Sequence, residues 1–186
     1  MKDKIVLLTE RLRIKTLRLD DITPEYLKGL NDPEVNKFLV NVRLKRQTKK
    51  TVSDFISQNL ESPSDMFLGI FLKKDCTFIG TIKIGGISNF HYLCSVGICF
   101  FAKEYCGKGY ASEALRRTID FIFKKLKLHH IEAGVYKNNR LSMKLFKRAG
   151  FKARAFYKDK YRYQGDFEPV IIWGLTNHEF DKALLK

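Results

Sequence analysis

Tyr105-Cys106-Gly107-Lys108-Gly109-Tyr110-Ala111-Ser112-Glu113-Ala114-Leu115 joins an apolar run at residues 96–101 to an amphipathic run at residues 110–126. Two glycines one residue apart let the backbone approach a ligand without interference from a Cβ. The helix predicted for the second run leaves its first N–H groups unpaired and carries partial positive charge at its start. A strand, a short glycine loop and a helix N-terminus together make an anion site suited to a pyrophosphate. The dinucleotide pattern G-x-G-x-x-G fails, because Ser112 stands where its third glycine belongs. The nucleoside-triphosphate loop G-x-x-x-x-G-K-[ST] is not matched either.

Upstream of the loop, three strand signals lie close together, at Met66 to Leu72, residues 77–85 and residues 94–101. Such spacing predicts an antiparallel meander. Gly97, inside the third, predicts a bulge or a close backbone approach. Downstream, the helix turns Ala111, Ala114, Leu115, Thr118, Ile119, Ile122, Phe123 and Leu126 inward, and a short apolar strand follows at His130 to Tyr136. A helix at 139–149 is closed by Gly150, and strands at 151–157 and 167–175 end the pattern, with Gly165-Asp166 near their turn. At the other end, Ile5-Val6-Leu7-Leu8 reads as a strand, and Leu12, Ile14, Leu17 and Leu19 as a second. Thr23-Pro24-Glu25 starts a helix, Asn31-Asp32-Pro33-Glu34 a short one through Phe38, and Val52, Phe55, Ile56 and Leu60 fall at helical spacing. A strand–helix–strand unit set in a mostly antiparallel sheet is an α+β arrangement.

The 186 residues, 45% of them hydrophobic, fit one domain over 1–186. No apolar run approaches the roughly 18 residues of a membrane span, and the run after Met1-Lys2-Asp3-Lys4 is too short for a signal peptide. A cytoplasmic protein with no membrane partner is expected. Four cysteines show no CxxC pair and no His spacing for zinc, so reduced thiols and no metal are expected; Cys94 and Cys99, five apart on a strand, point to opposite faces. The net charge of +15 suits a nucleic acid, an anionic membrane or a polyanionic small molecule, or simply a solvated lysine-rich surface. No nucleic-acid motif accompanies it, so no nucleic-acid partner is expected; salt-dependent binding would reveal one.

The central segment resembles motif A of the GNAT superfamily of acyl-CoA-dependent N-acetyltransferases, Q/R-x-x-G-x-G/A, here Glu104-Tyr105-Cys106-Gly107-Lys108-Gly109. Glu104 replaces the Gln/Arg, as in the ribosomal-protein branch of that superfamily. Ile131-Glu132-Ala133-Gly134-Val135, Asn139-Arg140-Leu141-Ser142 and Arg148-Ala149-Gly150-Phe151 are similar to the family's next blocks, in order and distance, and Glu10-Arg11-Leu12 and Leu30-Asn31-Asp32-Pro33-Glu34-Val35 resemble the same branch. The resemblance implies a mixed, mostly antiparallel central sheet flanked by helices. It also implies an acyl-CoA cleft where the family's fourth and fifth strands, here 94–101 and His130 to Tyr136, splay apart, with a bulge at Gly97 parting Ile98 to Phe101 from Val135. Acetyl-CoA is the implied cosubstrate. Its pyrophosphate would meet the amides of Cys106, Gly107, Lys108, Gly109, Tyr110 and Ala111. Its pantetheine arm would pair like an added strand with Ile98, Cys99 and Phe100, and Asn139 and Ser142 would hold the arm's polar groups. Helix capping is the alternative for Asn139 and Ser142.

Amide formation needs a neutral amine, a polarised carbonyl and a leaving thiolate. A strand N–H near residues 98–100 serves the carbonyl. Many family members place a tyrosine four residues before the glycine of the Gly-Phe pair to protonate the thiolate; here that residue is Phe146. His91, Glu132 and Tyr136 are the candidate catalytic residues, with Asp32 beside them; loop, strand, core and cap roles are their structural alternatives. The acceptor stays open among a nucleotide-linked aminosugar, a ribosomal-protein N-terminus and a polyamine, the last disfavoured by the +15 charge. A coenzyme-binding protein without chemistry is the competing reading. A monomer or homodimer is expected.

Overall fold

The computed structural model describes residues 5–163 and 165–184; Met1 to Lys4, read above against a signal peptide, lie outside them. Eight strands form one sheet in the order β1-β2-β3-β4-β5-β6-β8-β7. They are β1 (Val6–Leu8), β2 (Leu12–Thr16), β3 (Met66–Leu72), β4 (Phe78–Ser88), β5 (Leu93–Phe100), β6 (His130–Tyr136), β7 (Lys152–Tyr163) and β8 (Asp166–Thr176). The helices are α1 (Pro24–Leu30), α2 (Pro33–Asn36), α3 (Lys49–Glu61), α4 (Tyr110–Lys124), α5 (Arg140–Arg148) and α6 (Asn177–Leu184). Among the described residues, only β5 and β6 pair in parallel. The α+β arrangement, with an antiparallel meander through β3, β4 and β5, is therefore the one the sequence predicts.

At its edge β7 is exposed from Lys152 to Lys160, while the middle of the sheet is covered on both faces. On one, Ile14, Ile70, Ile82, Val96, Ile131 and Val135 pack with Leu115, Ile119 and Ile122 of α4, with Phe146 of α5 and with Phe180 of α6. On the other, Leu17, Phe67, Phe71, Phe78 and Phe101 pack with Tyr26 and Leu30 of α1 and Val52 and Ile56 of α3. Cys94 is fully buried in the first cluster, and the strand alternation turns Cys99 to the opposite face.

Local chemistry sets the helix ends. Thr23 Oγ1 accepts from the Tyr26 amide at 3.2 Å, with Pro24 at the first helical position of α1. α5 closes in a Schellman motif. The Gly150 amide donates to the Lys147 carbonyl and the Phe151 amide to the Phe146 carbonyl, both at 3.1 Å, with Gly150 at φ +94. The rings of Phe146 and Phe151 meet edge to face at 5.1 Å across this turn.

Four expectations are corrected. Gly97 carries no bulge: β5 pairs with β4 in unbroken register from Ser95 to Phe100, and the slip lies between Gly85 and Ser88 of β4. Leu19 lies in a 3-10 turn, Leu19–Asp21, rather than in a strand. β7 runs on past Tyr157 to Tyr163. A further helix, α6, follows the last strand.

Candidate active site

The site is built where the parallel pair comes apart. β5 and β6 are matched at only three positions, Leu93↔His130, Cys94↔Ile131 and Ser95↔Glu132. Beyond them β5 stays with β4, while β6 pairs with β8 along its whole length. The splay therefore comes from two strands held by different neighbours, not from Gly97. The Phe101 amide donates to the Ile79 carbonyl at 3.3 Å. The two-residue alternation of an antiparallel ladder then places Cys99 in the bonds to β4 and turns the peptide groups of Ile98 and Phe100 to the open edge. Of the three strand residues expected to meet the pantetheine arm, Cys99 thus has its backbone already engaged. Gly97 is exposed, and a Cβ there would meet nothing within 4 Å.

Because β5 and β6 are parallel, the helices that follow them start at the same end of the cleft. Gly109 is the N-cap of α4, and its φ of +84 places it in the left-handed region, two residues after Gly107 at +77. The first main-chain bond into α4 is Glu113 N–H to the Gly109 carbonyl at 3.1 Å. Among the described residues, none accepts from the amides of Gly107, Lys108, Gly109, Tyr110, Ala111 or Ser112. The Cys106 amide, expected to join them, is spent on the Lys103 carbonyl at 3.0 Å. Lys108 is exposed, with Nζ 5.4 Å from the Tyr105 ring centre.

Arg11 braces this loop from behind. Its Nη1 donates to the Lys108 carbonyl at 3.1 Å, its Nε to Glu113 Oε2 at 2.7 Å, and its guanidinium lies 4.4 Å from the Tyr110 ring centre. Glu113 Oε1 also accepts from Thr9 Oγ1 at 2.5 Å and the Arg11 amide at 2.9 Å. Partial burial pushes the Glu113 carboxyl up, but these donors outweigh it and hold it below its ordinary value.

At the start of α5, Asn139 Oδ1 accepts from the Ser142 amide at 3.1 Å, so the capping role is realised. The Asn139 amide nitrogen and the Ser142 hydroxyl lie at the same end of the cleft as the α4 loop, since β6 leads into α5.

The candidate catalytic residues separate. His91 is exposed in the β4–β5 hairpin, before the closed end of β5 and away from the splayed end; its ring meets Phe90 edge to face at 4.8 Å. Glu132 lies at the last closed pair, largely exposed, on the same face as Ser95. Tyr136 ends β6 in the open half, buried. Burial pushes its hydroxyl up to about 12; the neighbouring Arg43 pulls down, and Glu168 and Tyr161 push up. It is therefore a neutral phenol, not a base, at neutral pH. Asp32 caps α2 through the Glu34 amide at 2.9 Å and pairs with Lys103 at 2.6 Å, and the Lys103 bond, ahead of that amide, holds it below its ordinary value. Asp32 thus has the cap role.

One cluster beside Tyr136 was not expected. Arg43, its side chain 2% exposed, donates through Nη2 to Tyr136 Oη at 3.2 Å, and the same nitrogen lies 2.5 Å from Glu168 Oε2. Its Nη1 donates to the Lys37 carbonyl at 2.6 Å, tying the connection between α2 and α3 to the cleft mouth. The pairings Arg43–Tyr136 and Arg43–Glu168 span 93 and 125 residues, so no local pattern announces them. Among the described residues, no three His, Cys, Asp or Glu side chains gather to hold a metal, and no helix is long and apolar enough to cross a membrane.

Free strand edges thus lie beside two helix N-termini, one opened by glycines at positive φ. The family model for the acetyltransferase (GNAT) domain matches residues 11–152. The chain belongs to that family and is an N-acetyltransferase. It is 30% identical over 129 residues to the probable N-acetyltransferase YjcK of Bacillus subtilis (strain 168), covering 69% of this chain and 71% of that one. It is 25% identical over 119 residues to the [ribosomal protein uS5]-alanine N-acetyltransferase of Shigella flexneri, covering 63% and 60%. In fold it is similar to spermidine N-acetyltransferase from Vibrio cholerae in complex with CoA and spermine, at a TM-score of 0.82 and 17% identity, covering 92% and 99%.

Proposed function

We propose that the protein moves an acetyl group from acetyl-CoA to a primary amine by direct attack in a ternary complex, with a nucleotide-linked aminosugar as acceptor. The observation that carries the donor assignment is the parting of β5 from β6 beyond Ser95 and Glu132, beside the unpaired amides of residues 107–112. Those amides and the helix start take the pyrophosphate, with Lys108 able to swing toward it. The turned-out peptide groups of Ile98 and Phe100 take the pantetheine arm as an added strand would, and one of their N–H groups polarises the thioester carbonyl.

Direct attack is supported by the thiols. Burial, with a smaller contribution from Cys106, pushes Cys99 up to about 12, and burial and Glu104 push Cys106 up as well. Both shifts work against a thiolate that could carry the acetyl group. The amine nitrogen attacks the carbonyl carbon, the C–S bond breaks, and the amine's proton leaves through water. Glu132 is the carboxylate at the parting of the strands and serves as the base through that water. Phe146 has no proton to give, and a leaving thiol of ordinary pKa about 8.5 departs without a dedicated acid.

A second acceptor, a protein N-terminus, is favoured by the relative that acts on uS5 alanine. A polyamine is disfavoured by the net charge of +15, which repels a polycation. Thiol release from acetyl-CoA across aminosugar nucleotides, peptides and polyamines tests the reading. Release with the nucleotide sugars and little with the others is expected. Tight coenzyme binding with no release for any amine would establish the binding-only alternative instead.

A further inference from the structure

The tyrosines beside the cleft mouth form a graded series. Tyr136 and Tyr157 both oppose Val170, one from β6 and the other from β7, so all three side chains share the face that carries Glu168. The rings of Phe38 and Tyr136 are 5.8 Å apart, and those of Tyr136 and Tyr161 5.6 Å. Exposure rises outward: Tyr136 is 5% exposed, Tyr161 half-buried and Tyr157 49% exposed. Between Tyr157 and Tyr161 the register of β7 slips, so Lys158, Asp159 and Lys160 bulge opposite Pro169. Bulges re-aim side chains beside active sites. Here the bulge sets Lys160 Nζ 4.2 Å from the Tyr157 ring centre and 5.9 Å from that of Tyr161. Among the described residues no carboxylate pairs with Lys160, while Glu168 is taken by Arg43.

Such a series offers stacking faces and, in Lys160, a cation with no paired carboxylate. A flat ring carrying phosphate finds both of its partners here. We propose that Tyr161, Tyr157 and Lys160 are the acceptor subsite, holding a nucleoside diphosphate whose far end carries the amine into the cleft past Tyr136. Tyr157 stacks the base and Lys160 turns from the ring to the phosphates. This rests on the aminosugar-nucleotide reading above and assigns residues to it.

The probe is uridine diphosphate, titrated by calorimetry into protein saturated with coenzyme A so that the pyrophosphate loop is filled. Saturable binding is expected, weakened about tenfold or more by Tyr157→Ala and by Lys160→Ser, the scale on which removal of one stacking aromatic acts. Lys50→Ser, on the far helix α3, controls for loss of charge and leaves binding as it was. Coenzyme affinity of all three variants stays at the wild-type value, which also shows that they fold. No binding of the diphosphate, or binding as tight as wild type by Tyr157→Ala and Lys160→Ser, overturns the subsite. So does a peptide acceptor whose KM rises in those variants while nucleotide sugars are not acetylated. Because the titration needs no turnover, its failure is distinct from failure of acetyl transfer, which appears as no thiol release with any amine.

Discussion

Arg11 does at the residue scale what the loop glycines cannot do alone. Glycines at 107 and 109 allow the turn, but their freedom also makes it costly to hold. Arg11 fixes the Lys108 carbonyl and is itself fixed by Glu113 from the first turn of α4. Arg11→Ala is expected to raise the dissociation constant of coenzyme A about tenfold, the value of one charge-assisted bond, as read by calorimetry. The glycine loop was legible because its signal is local. The brace was not, because Arg11 and Glu113 stand 102 residues apart and nothing nearby marks either as a partner. Phe146 was legible as the absence of a tyrosine but not as a packing residue. Its ring, 3% exposed, is the apolar half of the Schellman turn against Phe151. Phe146→Ala is expected to cost about 3–5 kcal/mol in chemical denaturation, as a large-to-small change in a packed core does.

At the scale of elements, the strand and helix periods carried β3 to β6 and α4, because each buries a regular apolar stripe, while α5, with only Phe146 buried, was marked by its closing Gly150. They failed where burial is one-sided. The strand reading stops at Tyr157, yet β7 crosses Lys158-Asp159-Lys160 by slipping register. Asn177 to Leu184 is mostly polar, and α6 is anchored through single residues such as Phe180 and Glu179. Glu179 clamps β7 to the end of β8, accepting from Arg154 at 2.6 Å, Lys152 at 2.9 Å and the Thr176 amide at 3.1 Å. Partial burial raises its carboxyl, but Lys152, Arg154 and the Thr176 amide win and lower it from 4.5 to about 2. A carboxyl depressed in the folded state stabilises fully above its unfolded value and loses that contribution as pH falls through the folded one. Stability is therefore expected to drop between about pH 4.5 and 2. Glu179→Gln should lower the melting temperature at pH 7 and flatten that acid limb, measured by thermal scans across pH. An acid limb identical to wild type would remove the clamp from the account.

For the whole molecule, the family fold leaves the acceptor to side chains that converge from distant segments. The splay between residues 94–101 and His130 to Tyr136 was implied by the family resemblance, but its cause was misplaced at Gly97, since a strand's choice of neighbour is a tertiary property. The Arg43, Tyr136 and Glu168 cluster lay beyond reach for the same reason. Tyr136, held neutral up to about 12, should leave no ionisation of its own in the pH–rate profile near neutrality. Tyr136→Phe should keep the apparent pKa values of wild type, and a shifted acidic limb would return Tyr136 to the list of bases.

The three matched pairs between β5 and β6 have a mechanical consequence. They are the only ladder contact joining the five strands β1 to β5 to the three strands β6, β8 and β7 among the described residues. A seam so short behaves as a hinge line, and a ligand laid along the open part of it acts as a rivet. Coenzyme A at about one hundred times its dissociation constant should add about 2.7 kcal/mol of stability by mass action. Hydrogen exchange should slow most at the amides of Ile98 and Phe100, which have no partner strand until the ligand arrives, while β1 and β2 change little. Uniform protection across the sheet would mean that the two parts already move as one plate.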